Sequence, residues 1–534
     1  MKGFAGTGAL VRLALRRDRI VLPVSVALLV LTAGGSAQAT VALYTTPAEA
    51  ELAARTINAS PALLGIYGPI ADPTNPDSVA AFKSVTMGAI GIALLAYALV
   101  RRHTRTEEEA GRTELVGAGV VGRRAPLTAA ILLSTAVVVV TSLLAALSLV
   151  AVGLGTAGSF AFGAVWLTVG LAFTGITAVA AQLTTTARGC GAWALGAMGL
   201  AYVLRAVGDT STGSASALTW LSPFGWGEKL EIFGANRFVV LLVPVLFTLL
   251  MVGLAFVLLE RRDLGAGLVA ARPGPATGAE TLRSPLALAW RLQRGALSGW
   301  TIGFALLGLV LGSVAMNVGS LVTDPKVEDM LRKMGGSATS LTDLFLSTEA
   351  NFLAIVAAAY GISAALKLKS EESEGHSEQV LATPATRRAL LASHGVIALI
   401  GSALLMVVFG LGLAVSYGRQ SGGIGTAIGR LMPTVLAPIP AIWVCVGLAL
   451  VIFGALPALV TLAWALLAAF LLLGEFGSLI GLPRSVIDLS PFVHSSVVPG
   501  GVVDGTPLVA LLLVAAALAV TAAGTFRRRD LGTA

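Results

Sequence analysis

Long apolar runs alternate with short polar segments along the whole chain. About twelve of these runs approach the ~20 residues that an α-helix needs to cross a bilayer, and each is continuous, unlike the alternating strands of a membrane β-barrel. The pattern predicts an all-α polytopic membrane protein. Its predicted spans are residues 20–43, 84–101, 126–153, 159–183, 190–206, 237–260, 298–322, 351–368, 390–416, 434–454, 456–480 and 507–526.

Composition agrees with this prediction. Of the 534 residues, 56% are hydrophobic and 12% are charged, whereas soluble domains have about 25% charged residues. Too few polar residues remain to cover a soluble core, and disordered, collagenous and disulfide-rich secreted proteins are excluded. Cys190 and Cys445 both lie inside apolar runs, where we interpret them as packing residues.

The distribution of positive charge predicts the orientation. If the N-terminus is cytoplasmic and the spans alternate, 25 of the 36 Lys and Arg residues fall on the cytoplasmic side, as the positive-inside rule requires. Both termini are then cytoplasmic, in the plasma membrane. The net charge of +8 is explained by this topology and by anionic lipid headgroups, so no nucleic-acid partner is expected. Residues 11–19 predict an amphipathic helix on the inner membrane surface.

The two halves of the chain repeat one another. Residues 107–114 align without gaps on residues 371–378, and extension to residue 125 gives nine identical positions. We call these two stretches the charged segments. Further copies follow at nearly the same spacing: residues 221–224 recur at 489–492, residues 261–265 at 528–532, and Arg16 and Arg19 at Arg291 and Arg294.

Each half is therefore an amphipathic surface (elbow) helix followed by six spans. Because six is even, both halves have the same orientation, which predicts a parallel repeat. We predict a first transmembrane half at 1–265, a cytoplasmic linker at 266–280 and a second half at 281–534. Polar segments 44–83, 207–236 and 323–350 are expected to form short helices at the outer side, with the Ser of each Leu-Ser-Pro-Phe copy as an N-cap.

The charged segments are the strongest functional candidates. A single such loop is most simply a solvated loop, but its repetition indicates that both copies meet the same kind of partner. Carboxylates followed by Arg suit docking into a polar groove, and the glycines permit tight turns. The candidate residues are Glu107, Glu108, Gly111, Arg112 and Glu114 in the first half, and Glu371, Glu372, Gly375, His376 and Glu378 in the second.

Catalytic and energy-converting motifs are missing from the sequence. A phosphate-binding P-loop needs Gly-Lys-Ser/Thr, and none of the lysines follows a glycine. No zinc-protease or serine-hydrolase motif occurs, so we predict no catalytic, metal or cofactor site and no enzyme activity in this chain alone. Ion coupling would place ionisable groups near mid-span. Glu349 and Glu475 lie toward span ends, and we interpret His394 as a polar interfacial residue.

A surface helix, two spans, a charged segment and four further spans resemble the membrane subunit of ABC-2-type exporters. The fused form, with Glu-Glu-x-x-Gly-Arg-x-Glu-Leu at 107–115 and Leu-Ser-Pro-Phe-Gly-Trp at 221–226, resembles actinobacterial polyketide-antibiotic (tetronasin-type) exporter permeases. The resemblance implies that the charged segments are coupling helices. It further implies two copies of a separate ATP-binding subunit, which hold ATP and Mg, and a hydrophobic drug-like cargo. The second half departs from the pattern at His376 and Val493.

Two alternatives remain open at this point. An ion-gradient-driven secondary multidrug transporter can also have two parallel six-helix halves, but a surface helix in each half, the repeated acidic segment and a lack of buried ionisable residues speak against it. A membrane-embedded enzyme or scaffold would need a catalytic constellation or larger outer domains. Dependence of export on ATP or on an ion gradient separates the first two classes.

Overall fold

Helices make up the architecture of the chain. The computed structural model describes residues 2–44, 46–59, 61–117, 119–211, 213–269, 277–315, 341–476, 483–495, 499–501 and 504–530, and within these ranges it contains no strand. The chain divides into two compact units, Met1–Gly274 and Pro275–Ala534. This division falls inside the segment predicted as a linker.

Eleven helices in the described ranges are long and apolar enough to cross a membrane, which confirms the polytopic α-helical class. They correspond to eleven of the twelve predicted spans. The exception is the span predicted at 456–480, where the structure has a shorter apolar helix, Thr461–Gly474. Residues 477–480 of that span lie outside the described ranges, as does most of the predicted outer segment 323–350.

The described residues of the first unit form twelve α-helices. Several begin at side-chain caps: Asn75 accepts from the Asp77 amide, Thr186 from Gly189, and Ser222 from Phe224 as the sequence predicted. The helices are α1 (Thr7–Arg17), α2 (Val21–Leu43), α3 (Pro47–Ala59), α4 (Pro61–Tyr67), α5 (Pro76–Arg102), α6 (Arg105–Glu109), α7 (Arg112–Gly117), α8 (Ala125–Val152), α9 (Thr156–Leu183), α10 (Ala187–Thr210), α11 (Pro223–Glu228) and α12 (Leu242–Glu260).

The second unit follows a similar order. Thr386 and Asp504 cap two of its helices, and the helix that begins after Thr386 ends at Gly422 in the left-handed conformation. Ser490 precedes the short 3₁₀ helix Pro491–His494 without capping it through its side chain. The α-helices are α13 (Pro285–Ala315), α14 (Leu341–Ser373), α15 (His376–Leu381), α16 (Arg387–Ser421), α17 (Ile424–Leu436), α18 (Ile439–Ala455), α19 (Thr461–Leu471), α20 (Arg484–Ile487) and α21 (Gly505–Arg528).

The surface helix differs between the two units. In the first unit α1 is a separate helix that ends at Asp18, whose buried carboxylate bonds Arg102 at 2.8 Å and His103 at 2.7 Å. In the second unit the prediction of a separate surface helix is wrong, since α13 runs without a break into its span. The counterpart of Asp18 is the neutral Gln293, which contacts His394 within the helix packing, so no charged corner forms.

Glycines let α13 and α16 approach closely. A Cβ added at Gly308 or Gly312 would collide with the backbone of Phe409 or Leu413. Close backbone approach through small residues is a common source of helix association in membranes. The tight packing of α13 on α16 therefore depends on these two glycines.

This contact predicts the effect of one substitution. Gly312→Leu should lower the free energy of unfolding by about 1–3 kcal/mol, which is the usual cost of overpacking. Thermal unfolding of the purified variant in detergent measures this loss. Gly303→Leu is the matched control, because a Cβ at Gly303 on the same helix meets no atom within 4 Å. Equal effects of the two variants would contradict the packing argument.

Candidate functional site

Each charged segment turns at its glycine. Gly111 (φ +70°) joins α6 to α7, and Gly375 (φ +75°) joins α14 to α15. Positive φ favours glycine, so the tight turns predicted at both positions are confirmed. The two segments are otherwise built differently, since Glu107 and Glu108 lie on the short helix α6, whereas Glu371 and Glu372 lie in the last turn of the long helix α14.

Glu108 is a buried anchor. Its two carboxylate oxygens accept from Nη1 and Nη2 of Arg262 at 2.6 and 3.0 Å, and its Oε1 also accepts from the Gly265 amide at 2.7 Å. Arg105, fully buried beside it, lies 3.2 Å from Glu108 Oε2. A buried charge persists only when it is paired and hydrogen-bonded. The segment is therefore fixed to the end of α12.

Glu372 makes the same anchor in the second unit. It accepts from Nη2 of Arg529, whose Nη1 donates to the Phe453 carbonyl at 3.0 Å and whose guanidinium lies over the rings of Phe453 and Phe526. Arg529 is the repeat counterpart of Arg262. We call the pairs Glu108–Arg262 and Glu372–Arg529 the two clamps, because each joins a charged segment to the end of the last span of its unit.

The basic residues after each segment strengthen the clamps. Arg123 donates to the carbonyls of Leu259, at 3.1 Å, and of Arg262. Its counterpart Arg387 donates to the carbonyl of Arg529 at 2.5 Å. These Arg residues were predicted as part of the topological charge bias and as the basic end of a docking segment, and the structure shows that they also bind the chain after the last span.

Glu107 and Glu371 position the turn. Glu107 accepts from Nε and Nη2 of Arg112 at 2.7 and 3.0 Å and also bonds Arg17 of α1. These contacts raise the pKa of Arg112 above its ordinary value, chiefly through the hydrogen bond to Glu107. Glu371 contacts Nδ1 of His376 at 3.3 Å. The departure from Arg to His thus keeps the contact but replaces a guanidinium group with an imidazole ring.

Four of the ten candidate residues face outward. Arg112 and His376 are about half exposed, and Glu114 and Glu378 are exposed without an ion pair to the described parts of the chain. The ten candidates therefore divide by role into clamps (Glu108 and Glu372), turns (Gly111 and Gly375), positioning carboxylates (Glu107 and Glu371) and exposed groups (Arg112, His376, Glu114 and Glu378).

One contact of the first segment is not repeated. Glu109 Oε2 accepts from the Ala187 amide at 2.9 Å, which places a negative charge at the N-terminus of α10, where the helix dipole favours it. The aligned residue in the second unit is Ser373, which bonds its own helix. The two segments share a clamp at equivalent positions and differ in this connection.

The expected lack of buried ionisable residues is wrong. Arg205, in α10, is fully buried and its Nη1 lies 3.0 Å from Glu228 Oε1, while its Nε lies 3.7 Å from Asp209 Oδ2. Its Nη2 donates to the carbonyls of residues 65 and 66 at 2.6 and 2.9 Å. Burial raises the pKa of Glu228 well above its ordinary value, against the attraction of Arg205. In the second unit Arg430 holds the buried Asp343 through both oxygens at 2.6 and 2.8 Å.

The Arg205 cluster predicts opposite effects of two substitutions. Arg205→Met leaves two buried carboxyl groups unpaired and should destabilise the protein by about 3–5 kcal/mol. Glu228→Gln should preserve or slightly raise stability, because burial raises the pKa of Glu228 and the substitution removes the cost of burying a charged carboxylate. Because the pKa of Glu228 is higher in the folded than in the unfolded protein, folding stability is lost as the pH rises above the ordinary value of 4.5. Glu228→Gln should make the stability depend less on pH in this range. Thermal unfolding measured at several pH values tests both substitutions. Loss of stability in Glu228→Gln would contradict the raised pKa of Glu228.

Comparisons with known proteins agree with this architecture. The family model of the multidrug efflux system permease Rv1217c, C-terminal domain, matches residues 282–527. The multidrug efflux system permease protein Rv1217c of Mycobacterium tuberculosis is 39% identical over 540 residues, covering 99% of this chain and 96% of the relative. These matches confirm the resemblance to exporter membrane subunits, at the level of a multi-pass membrane permease of an efflux system. The chain belongs to the family of multidrug efflux permeases that includes this relative.

Proposed function

We propose that this chain is the transmembrane subunit of an ATP-driven ABC exporter that moves hydrophobic or amphipathic compounds out of the cell. The observation that carries the proposal is the repeated clamp. Each unit holds a charged segment to the end of its last span and presents two exposed polar side chains beyond the glycine turn. Two such elements suit two copies of one ATP-binding partner.

The clamps give a physical route for coupling. A partner that docks on Arg112 and Glu114, or on His376 and Glu378, pushes on a short helix after a fixed turn. In the first unit, Glu108–Arg262 passes that displacement to α12, and Glu107 passes it to α1 through Arg17. Because packed elements shift between discrete arrangements rather than bending continuously, a small push can reposition whole spans.

ATP and Mg are assigned to the partner. Phosphate binding by a P-loop requires a lysine after a glycine, which the sequence lacks. The described residues also contain no group of three or more His, Cys, Asp or Glu side chains that could hold a metal ion. This chain would supply the docking elements and the membrane path, with both termini cytoplasmic as the distribution of Lys and Arg predicts.

The cargo class follows from the apolar spans and from the relative. The multidrug name of the 39% identical permease and the aliphatic and aromatic span residues both favour hydrophobic compounds. Polyketide antibiotics fit this class and are implied by the family resemblance. Export assays should therefore compare a hydrophobic polyketide with a small hydrophilic antibiotic of similar charge, and the proposal expects export of the polyketide alone.

One observation favours the second candidate, an ion-gradient-driven multidrug transporter. Glu228 is buried beside Arg205 and Asp209 and has a raised pKa, as a proton-carrying carboxyl group would. Reconstituted vesicles separate the two functions. The ABC exporter proposal expects export that depends on ATP and the partner, persists with a protonophore and survives Glu228→Gln. Export driven by a proton gradient alone and abolished by Glu228→Gln would replace it with the secondary-transporter function.

A further inference from the structure

A cavity of about 270 Å³ lies under the surface helix of the first unit. Its walls are apolar, and its rim is polar. The volume is close to the lower end of the ~300–1,000 Å³ range of small-molecule sites. The walls are Leu10, Leu13 and Ala14 of α1 with Pro126, Ala129 and Ala130 of α8, and the rim is Arg17, His103, Glu107, Arg112 and Thr113.

The rim carries an excess of positive charge. Glu107 is the one carboxylate among the lining residues, and it contacts the guanidinium groups of both Arg17 and Arg112. His103 is paired with Asp18 outside the cavity. The two arginines have ten N–H donors, of which three go to Glu107. The remaining donors suit a planar or tetrahedral oxyanion such as a phosphate.

The cavity lies where apolar helices end. α5 ends at Arg102 and α8 begins at Ala125, and both flank the lining residues. On α1, Leu13 and Leu15 are 59% and 46% exposed, as expected of a helix that lies at the headgroup boundary with apolar side chains in the acyl region. An occupant must therefore have an apolar body at the depth of lipid chains and an anionic head at the depth of headgroups.

We propose that this cavity binds one anionic membrane phospholipid. An acyl chain packs against the walls formed by α1 and α8, and the phosphate lies against Arg17 and Arg112. In the proposed orientation this end faces the cytoplasmic leaflet, where anionic lipids give a negative surface. Because Arg17 and Arg112 both hold Glu107, the lipid also supports the first charged segment; this consequence, unlike the binding, rests on the proposed function.

The repeat predicts one such lipid per chain. When Arg16 is aligned with Arg291, Arg17 aligns with Leu292. The counterpart of Arg112 is His376. The surface helix is also continuous with its span in the second unit. The second copy therefore lacks both permanent cations that would hold the phosphate.

Native mass spectrometry of the purified full chain tests the binding. The probes are dioleoyl phosphatidylglycerol, dioleoyl phosphatidylcholine and inorganic phosphate. We expect one phosphatidylglycerol to be retained about tenfold or more better than phosphatidylcholine. Arg17→Ala with Arg112→Ala should abolish the preference. Arg12→Ala with Arg16→Ala is the matched control, because both residues are exposed on the same helix and neither lines the cavity.

A second variant addresses the walls without changing charge. Ala129→Leu should fill the cavity and reduce phosphatidylglycerol retention while the chain keeps its thermal stability. Equal retention of the two lipids, equal loss in the Arg12 and Arg16 control, or binding of phosphate alone would each overturn the proposal. A further outcome separates binding from function. If phosphatidylglycerol is retained as proposed but has no effect on partner-dependent transport, the lipid site is supported and its link to the charged segment is rejected.

Discussion

Breaking both clamps should uncouple transport. In Glu108→Gln with Glu372→Gln, each clamp loses its ion pair but keeps the shape of the side chain. We expect transport to fall about tenfold or more, the scale of typical coupling free energies, because displacement of a charged segment no longer reaches α12 or α21. The measurement is ATP-dependent uptake into inverted vesicles together with the amount of inserted protein.

The matched control removes charge next to the clamps. Arg261 and Arg528 precede the clamp arginines and are exposed, so Arg261→Ala with Arg528→Ala should transport normally. Because Glu108 and Glu372 are largely buried, the double variant should still bind its partner. Normal transport by the clamp variant, or equal loss in the control, would show that the clamps do not couple the segments to the spans.

Reversing the exposed charges should instead release the partner. Glu114 and Glu378 occupy equivalent positions beyond the two turns and are exposed. Glu114→Arg with Glu378→Arg should weaken partner binding by about a hundredfold, since like charges across an interface cost several kcal/mol. The stability of the chain should not change. The measurement is the binding constant for the purified ATP-binding subunit.

Asp263 and Asp530 supply the control for the second experiment. Both are exposed, and both follow a clamp arginine at the same end of the spans. Asp263→Arg with Asp530→Arg changes the net charge by the same amount as the docking variant. Binding that weakens equally in both variants would mean that general charge repulsion, and not docking at the two turns, determines the affinity.

The sequence predicted the features that depend on local pattern. Continuous apolar runs predicted the spans, and the repeated glycines predicted the turns at Gly111 and Gly375. The Ser-Pro pair predicted the start of α11, where Gly225 is also required because a Cβ there would collide with Thr219. The departure at Val493 occurs where the second copy forms a 3₁₀ helix. These signals lie within a few residues of the structure that they determine.

Features that depend on distant pairing were not predicted. Glu108 and Arg262 are separated by 154 residues, and nothing local marks one as the partner of the other. The repeat contained a usable signal, since both members of the first clamp, Glu108 and Arg262, recur in the second half as Glu372 and Arg529. In the Arg205 cluster, Asp209 lies four residues after Arg205 on α10 and was a usable local signal, whereas Glu228 meets Arg205 only when α11 packs beside α10. The break after α1 likewise depends on Asp18 meeting α5.

Composition of the purified complex tests the central claim most directly. The chain should be isolated gently from its native membrane, and any bound protein with a Walker-type ATPase sequence should be identified and counted by mass. The account predicts two ATPase subunits per chain, one for each charged segment, and their loss in Glu114→Arg with Glu378→Arg. A preparation that contains no ATPase and still transports under an ion gradient would contradict the account.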